Sequence, residues 1–91
     1  MITKISWTKR FRKDFDSMPM GIREKIAAWI FGVETLGLHE VARRPGYHDE
    51  PLKGQRFGQR SIRLNRAYRL IYRVIEDRVH IELLEVNKHE Y

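Results

Sequence analysis

Seven basic residues and no acid lie between Pro51 and Arg73: Lys53, Arg56, Arg60, Arg63, Arg66, Arg69 and Arg73. Six are arginines, whose planar fork can donate two parallel hydrogen bonds to one phosphate or carboxylate. The rest of the chain holds eleven basic and twelve acidic side chains, so the net charge of +6 comes from this one segment. Such concentration favours a polyanionic partner over a merely solvated strand face. Glu50 stands just ahead of the segment, and Pro51 biases it toward extended backbone, which helps fix its direction. At the other end, "VNKHEY" closes on His89 and Tyr91. An imidazole titrates near neutral pH and can pass a proton. A tyrosine can stack on a ring or lend a hydroxyl. Each residue also has a plainer role. Glu50 can pair with Lys53 or an arginine, Arg69 with Glu82, His89 can be solvated, and Tyr91 can cap the core edge.

These side chains need a scaffold. "ITKISW" alternates apolar and polar and predicts a short first strand. Thr8 is placed to cap a helix in which Phe11, Phe15 and Met18 recur at helical spacing. Pro19 interrupts it. A second helix carries Ile22, Ile26, Trp29, Ile30, Val33 and Leu36 on one stripe, with Gly37 as its terminator. "LHEVARRPGYHDEP" reads as an irregular connection that can open with one helical turn. The last forty residues read as three strands, "RSIRLN", "YRLIYRVI" and "RVHIELLEV". The predicted class is α+β: a strand, a helical hairpin, then a three-stranded antiparallel meander with the helices on one face.

Strand register decides which side chains meet. A two-residue loop at Glu76-Asp77 would set Val74 opposite Val79, Tyr72 opposite Ile81 and Leu70 opposite Leu83, an apolar face. On the reverse face it would set Arg73 beside His80, Ile71 beside Glu82, and Arg69 beside Leu84. Glu85 would then lie opposite Tyr68, bringing His89 and Tyr91 near Arg69. For the preceding turn, a three-residue loop from Asn65 to Ala67 keeps Ile62 and Leu64 with Tyr68, Leu70 and Tyr72. It leaves Ser61, Arg63, Arg69 and Arg73 together on the other face. That loop lacks the glycine such turns favour.

Ninety-one residues, 42% of them apolar, suit one domain over residues 1–91 with a small core. With no cysteine there is neither a disulfide framework nor a thiolate zinc site. A reducing cytoplasm is compatible with that. The start "MITKISWTKRF" has no long apolar run, so no signal peptide or membrane span is expected. His39, His48, His80 and His89 show no metal-ligand spacing. His39 and Tyr47 carry no readable signal, whereas His48, two residues before Glu50, could substitute for it as a base.

The strand and helical hairpin, with "EPLKG", "SIRLN", "YRLIYRV" and a terminal "HEY", resemble the RelE/ParE superfamily of toxins, most closely its RelE, YoeB and HigB-like ribonucleases. The element order covers essentially the whole chain, and the specific motifs cover residues 50–91. The resemblance implies a type II toxin that cleaves mRNA without metal or other cofactor, commonly on the ribosome. It implies Glu50 as catalytic base and Arg69, the arginine of "YRL", on the scissile phosphate. Arg63 falls where a basic residue helps hold phosphate. His89 and Tyr91 fall where relatives place acid chemistry and base stacking. Here Glu90 separates the two, unlike the YoeB-like ending in which histidine and tyrosine are adjacent. A histidine followed shortly by an aromatic resembles the YafQ-like variant and favours His89 as the catalytic member.

Metal-free RNA cleavage needs a base for the 2′-OH proton, positive charge on the pentacoordinate phosphate, and an acid for the departing 5′ oxygen. Glu50, Arg69 and His89 can fill those roles, with Tyr91 stacking on a base. Lys53, Arg56, Arg60, Arg63 and Arg73 would bind RNA phosphates. The expected partners are an acidic cognate antitoxin, mRNA and the ribosome, with operator DNA reached through the antitoxin and no membrane. Lys9, Arg10, Arg12 and Lys13 form a second basic cluster suited to salt-sensitive rRNA contact. The alternatives are a ParE-like inhibitor of DNA gyrase and a non-toxic relative that binds nucleic acid as a regulator.

Overall fold

In a computed structural model, residues 4–75 and 80–88 are described. The chain runs β1 (Lys4–Trp7), α1 (Lys9–Ser17), α2 (Met20–Leu36), α3 (Leu38–Ala42), β2 (Glu50–Pro51), β3 (Gln59–Arg63), β4 (Tyr68–Ile75) and β5 (His80–Lys88). Single 3₁₀ turns at Pro45–Tyr47 and Gly54–Arg56 flank β2. The sheet order is β1-β5-β4-β3-β2. β1 lies parallel to β5, and the other neighbours are antiparallel. The α+β architecture is the one predicted. The parallel seat of β1 and the short β2 are added to it. Among the described residues, no helix is long and apolar enough to cross a membrane.

Local chemistry sets the helix limits. Thr8 caps α1: its Oγ1 accepts from Phe11 N at 3.0 Å and donates to the Leu84 carbonyl at 2.6 Å. One side chain thus both starts the helix and ties it to β5. Pro19 ends the first helical run, and its carbonyl accepts from Ile22 and Arg23 at the start of α2. Gly37, at φ 88°, closes α2 in a conformation that a Cβ would strain. A Cβ at Gly32 would stand 3.2 Å from a Val41 methyl, so glycine lets α3 fold tightly back on α2.

The core lies between the helices and one face of the sheet. Ile22, Ile26, Trp29 and Val33 of α2 pack with Phe11, Ile62, Leu64, Leu70, Tyr72, Ile81, Leu83 and Val86. The Trp29 and Tyr72 rings stand 5.0 Å apart at 52°. Leu36 departs from the predicted stripe: it is 51% exposed in the last turn before Gly37.

The β3–β4 turn has the expected three-residue loop, with Arg63 opposite Arg69 and Leu64 N bonded to the Tyr68 carbonyl. No glycine is needed because Asn65 Oδ1 accepts from both Ala67 N and Tyr68 N at 2.8 Å. The β4–β5 register differs from the expected one. Ile75 faces His80, two residues beyond the expected partner, and the loop itself, with Glu76 and Asp77, lies outside the described residues. Val74 faces Ile81, Tyr72 faces Leu83 and Leu70 faces Val86. The slip at Val74 and Tyr72 is two residues, which preserves inside and outside. A bulge then skips Leu84, leaving Ile71 opposite Glu85, Arg69 opposite Asn87 and Tyr68 opposite Lys88. Ile81, Leu83 and Val86 cannot all face one side of a regular two-residue repeat. The extra residue lets all three reach the core. Past the end of β1, α1 takes over the edge of β5. There the Thr8 hydroxyl donates to Leu84 O, and Asp14 Oδ2 accepts from Val86 N at 3.0 Å.

Candidate functional site

The face of the sheet away from the helices carries Glu50 on β2, Ser61 and Arg63 on β3, Arg69 and Arg73 on β4, and Glu82 and Glu85 on β5. Its centre is Glu50. One carboxylate oxygen lies 3.1 Å from Arg69 Nη1 and the other 3.4 Å from His48 Nε2. The same Arg69 nitrogen donates to Ser61 Oγ at 3.3 Å. Arg69 is well covered, its side chain 14% exposed, whereas Glu50 is 42% exposed and open to a ligand. The result is a fixed guanidinium beside an accessible carboxylate.

Backbone alternation explains how Glu50 comes to be there. In the extended segment entering β2, successive side chains point to opposite sides. Asp49 turns its side chain inward, fully covered and bonded by Arg60 Nε at 2.7 Å and by the Tyr72 hydroxyl at 2.6 Å. Its neighbour Glu50 must therefore face outward. His48 takes a left-handed conformation, φ 46° and ψ 51°, as it caps the 3₁₀ turn, and this returns its ring toward Glu50. Burial pushes the Tyr72 phenol well above its ordinary range, aided by the hydrogen bond to Asp49 and the negative charge there. Burial alone would lower Arg60, but the Asp49 hydrogen bond and charge prevail and hold it above its usual value.

Two other arginines on this face, Arg73 and Arg56, are also matched with acids. Arg73 bonds Glu82 at 2.7 Å, and Arg56 pairs with Glu85 while donating to Gln59 Oε1 at 2.8 Å. Burial tends to raise Glu85, yet hydrogen bonds from Arg56 and Asn87 and the Arg56 charge outweigh it and hold the carboxyl below its ordinary range. Arg63 is exposed beside Arg69, with no ion pair among the described residues, as is Lys53 before the second 3₁₀ turn.

The structure therefore brings Glu50, Arg69, Arg63, Arg56 and Arg73 to one face. Arg60 is the exception. It shares strand parity with Ile62 and Leu64 and reaches Asp49 on the core side. His89 and Tyr91 lie outside the described residues. The last described residue, Lys88, is one ladder position beyond the Arg69–Asn87 pair. Ser61 lies on the face where strand register placed it, though it was given no role there, and Asp49 had no part in the sequence-based site. The signal for Asp49 was a basic residue, Arg60, at a core-facing parity, which requires a buried acid.

A family model described as the ParE toxin of the type II toxin–antitoxin system matches residues 5–90. Among solved structures, a YoeB/ParE toxin from Agrobacterium tumefaciens is 26% identical, with 97% of this chain and all of that one aligned at a TM-score of 0.74. A point mutant of YafQ from E. coli is 18% identical over 93% of this chain and 91% of that one, at a TM-score of 0.74. The archaeal RelE–RelB complex from Pyrococcus horikoshii offers a chain 22% identical over 97% and 96%, at 0.73. No curated protein matches by sequence.

Proposed function

The chain belongs to the ParE toxin family of type II toxin–antitoxin systems, and from that premise we propose that it cleaves mRNA without a metal cofactor, with Glu50 as base and Arg69 on the scissile phosphate. The observation that supports this is the contact of Glu50 with Arg69 on an open face, backed by Ser61 and His48. In RNA the 2′-OH and its phosphate are neighbours, so a base and a phosphate-binding guanidinium must be neighbours too. Glu50 removes the 2′-OH proton as that oxygen attacks phosphorus. Arg69 exchanges the carboxylate for a non-bridging phosphate oxygen and stabilises the added charge. The 5′ oxygen departs with a proton from an acid. His89 is the proposed donor, and the His48 imidazole offers an alternative beside Glu50. The products carry a 2′,3′-cyclic phosphate and a 5′-OH. Tyr91 would stack on a base.

Pairing with an acidic antitoxin follows from the basic site, and solved relatives include RelE–RelB and YoeB–YefM complexes. Operator DNA would be reached through that antitoxin, and the ribosome through the first helix. There Arg10 and Arg12 are paired with Asp14 and Asp16, which leaves Lys9 and Lys13 as the cations for rRNA.

A gyrase-directed reading is favoured by one observation. Arg56, Arg69 and Arg73 already carry carboxylate partners, so the face offers less free positive charge than the sequence implies. The test is induction in cells followed by mapping of RNA ends. Discrete mRNA cuts bearing cyclic phosphate, reduced about 10²- to 10⁴-fold by Glu50→Gln, support the ribonuclease. DNA damage without cuts, unchanged by Glu50→Gln, overturns it for gyrase.

A further inference from the structure

β2 pairs only with Arg60 and Ser61, so among the described residues the outer edge of β3 at Ile62 and Arg63 has no strand beside it. A cleft of about 320 Å³ opens there, lined by Lys25 and Ala28 of α2, Arg44, Gly46 and Tyr47 of the connection, and Arg63 and Leu64. Among the described residues no carboxylate lines it. By contrast, Arg10, Arg12, Arg43, Arg56, Arg60, Arg69 and Arg73 each hold an acid. Lys25, Arg44 and Arg63 form no ion pair among the described residues. Three cations converging without a counter-charge repel one another, and a bound anion removes that cost.

We propose that this cleft is a subsite for the phosphate backbone of single-stranded RNA, next to the cleavage site. The proposal rests on the ribonuclease reading. Arg63 stands directly across the ladder from Arg69, a separation of about 5 Å between Cα atoms. A strand whose scissile phosphate sits on Arg69 therefore meets Arg63 next and enters the cleft beyond it. Arg63 and Arg44 supply forked donors for phosphate oxygens, Lys25 adds a point charge, and Tyr47 offers a half-buried ring for a base. Tyr47 also precedes His48 in the chain, so the cleft and the Glu50 site are joined by one short segment. The arrangement favours RNA over an acidic peptide because it combines an aromatic wall with spaced cations that continue the line of the cleavage site.

The test uses full-length Glu50→Gln protein and labelled single-stranded RNA oligonucleotides, lengthened in turn on the 5′ and 3′ sides of a mapped cut. In one of the two series, added nucleotides should tighten binding. The double variant Lys25→Ala/Arg44→Ala should abolish that gain and lower the salt slope by roughly 0.7 for each phosphate no longer neutralised. The control Lys4→Glu, on β1 at the opposite edge of the sheet, changes the charge by the same two units away from the cleft. Equal loss in the control overturns the proposal, as does undiminished RNA binding by the cleft variant. So does a loss confined to binding of a polyglutamate peptide, which would assign the cleft to a protein partner. Absence of RNA binding by the parent overturns it as well, while cuts on the ribosome would leave the ribonuclease reading standing. Cleft-dependent binding by a wild-type chain that never cuts RNA would keep the subsite and sink the ribonuclease.

Discussion

Asp49 Oδ1 accepts from Arg60 Nε at 2.7 Å on the core side of the strand that holds Glu50 outward. Two acidic neighbours in the sequence thus do opposite work. One is buried and bonded by Arg60 and Tyr72; the other is half exposed and touches Arg69.

Breaking the buried partner should cost more than breaking the exposed one. Asp49→Asn leaves Arg60 without its counter-charge and should destabilise by about 2–3 kcal/mol. That is below the range for a fully buried pair, because the Arg60 side chain is 37% exposed. Glu50→Gln should cost about 1 kcal/mol or less. Urea unfolding midpoints at unchanged m-value would check the order. A midpoint lower for Glu50→Gln than for Asp49→Asn would contradict it.

Stability should fall at both pH extremes, through different groups. The Glu85 carboxyl is held below its ordinary 4.5, so its contribution is complete above that value and fades as pH falls through the folded-state value. The Tyr72 phenol is held above its ordinary 10.0, so its contribution is complete below that value and is lost as pH rises through the folded-state one. Glu85→Gln should flatten the acid limb and Tyr72→Phe the alkaline limb. Denaturation midpoints taken across both limbs would show it, and limbs unchanged in both variants would refute it.

Asn65 should matter more than its exposed position suggests. Asn65→Ala leaves the Ala67 and Tyr68 amides without their shared acceptor and should cost about 1–2 kcal/mol. Asn65→Asp keeps an acceptor and should retain most of the stability. Equal losses in the two variants would show that the side chain does not hold the loop.

The same residues show what a sequence makes visible. The three-residue turn followed from face matching across Ile62, Leu64, Leu70 and Tyr72, and the missing glycine was replaced by a side-chain acceptor. The β4–β5 register was not visible. A slip of two keeps every core residue inside, so patterning alone cannot choose between them, and the adjacent Leu83 and Leu84 hid the bulge. Glu50 and Arg69 were legible from motif and charge. Asp49 was not, because a buried acid gives no local pattern; its sign was Arg60 at an inward position. Tyr47 gave none, because most of its neighbours in the cleft come from two distant stretches of chain, on α2 and at the end of β3.

The parallel pairing of β1 with β5 has a temporal consequence. During synthesis β1 emerges before the other strands, and the strand it must lie against is the last to be made. Until β5 arrives, Leu84 offers no carbonyl to Thr8, Val86 no amide to Asp14, and Ile81 and Leu83 are absent from the core. Closure of such distant contacts comes late in folding. Arg69 and Arg73 lie on β4, whose only other flank is β3, so the site is assembled on a half-built sheet until then. A growing chain of this toxin reaches its working shape only as β5 leaves the machinery that makes it.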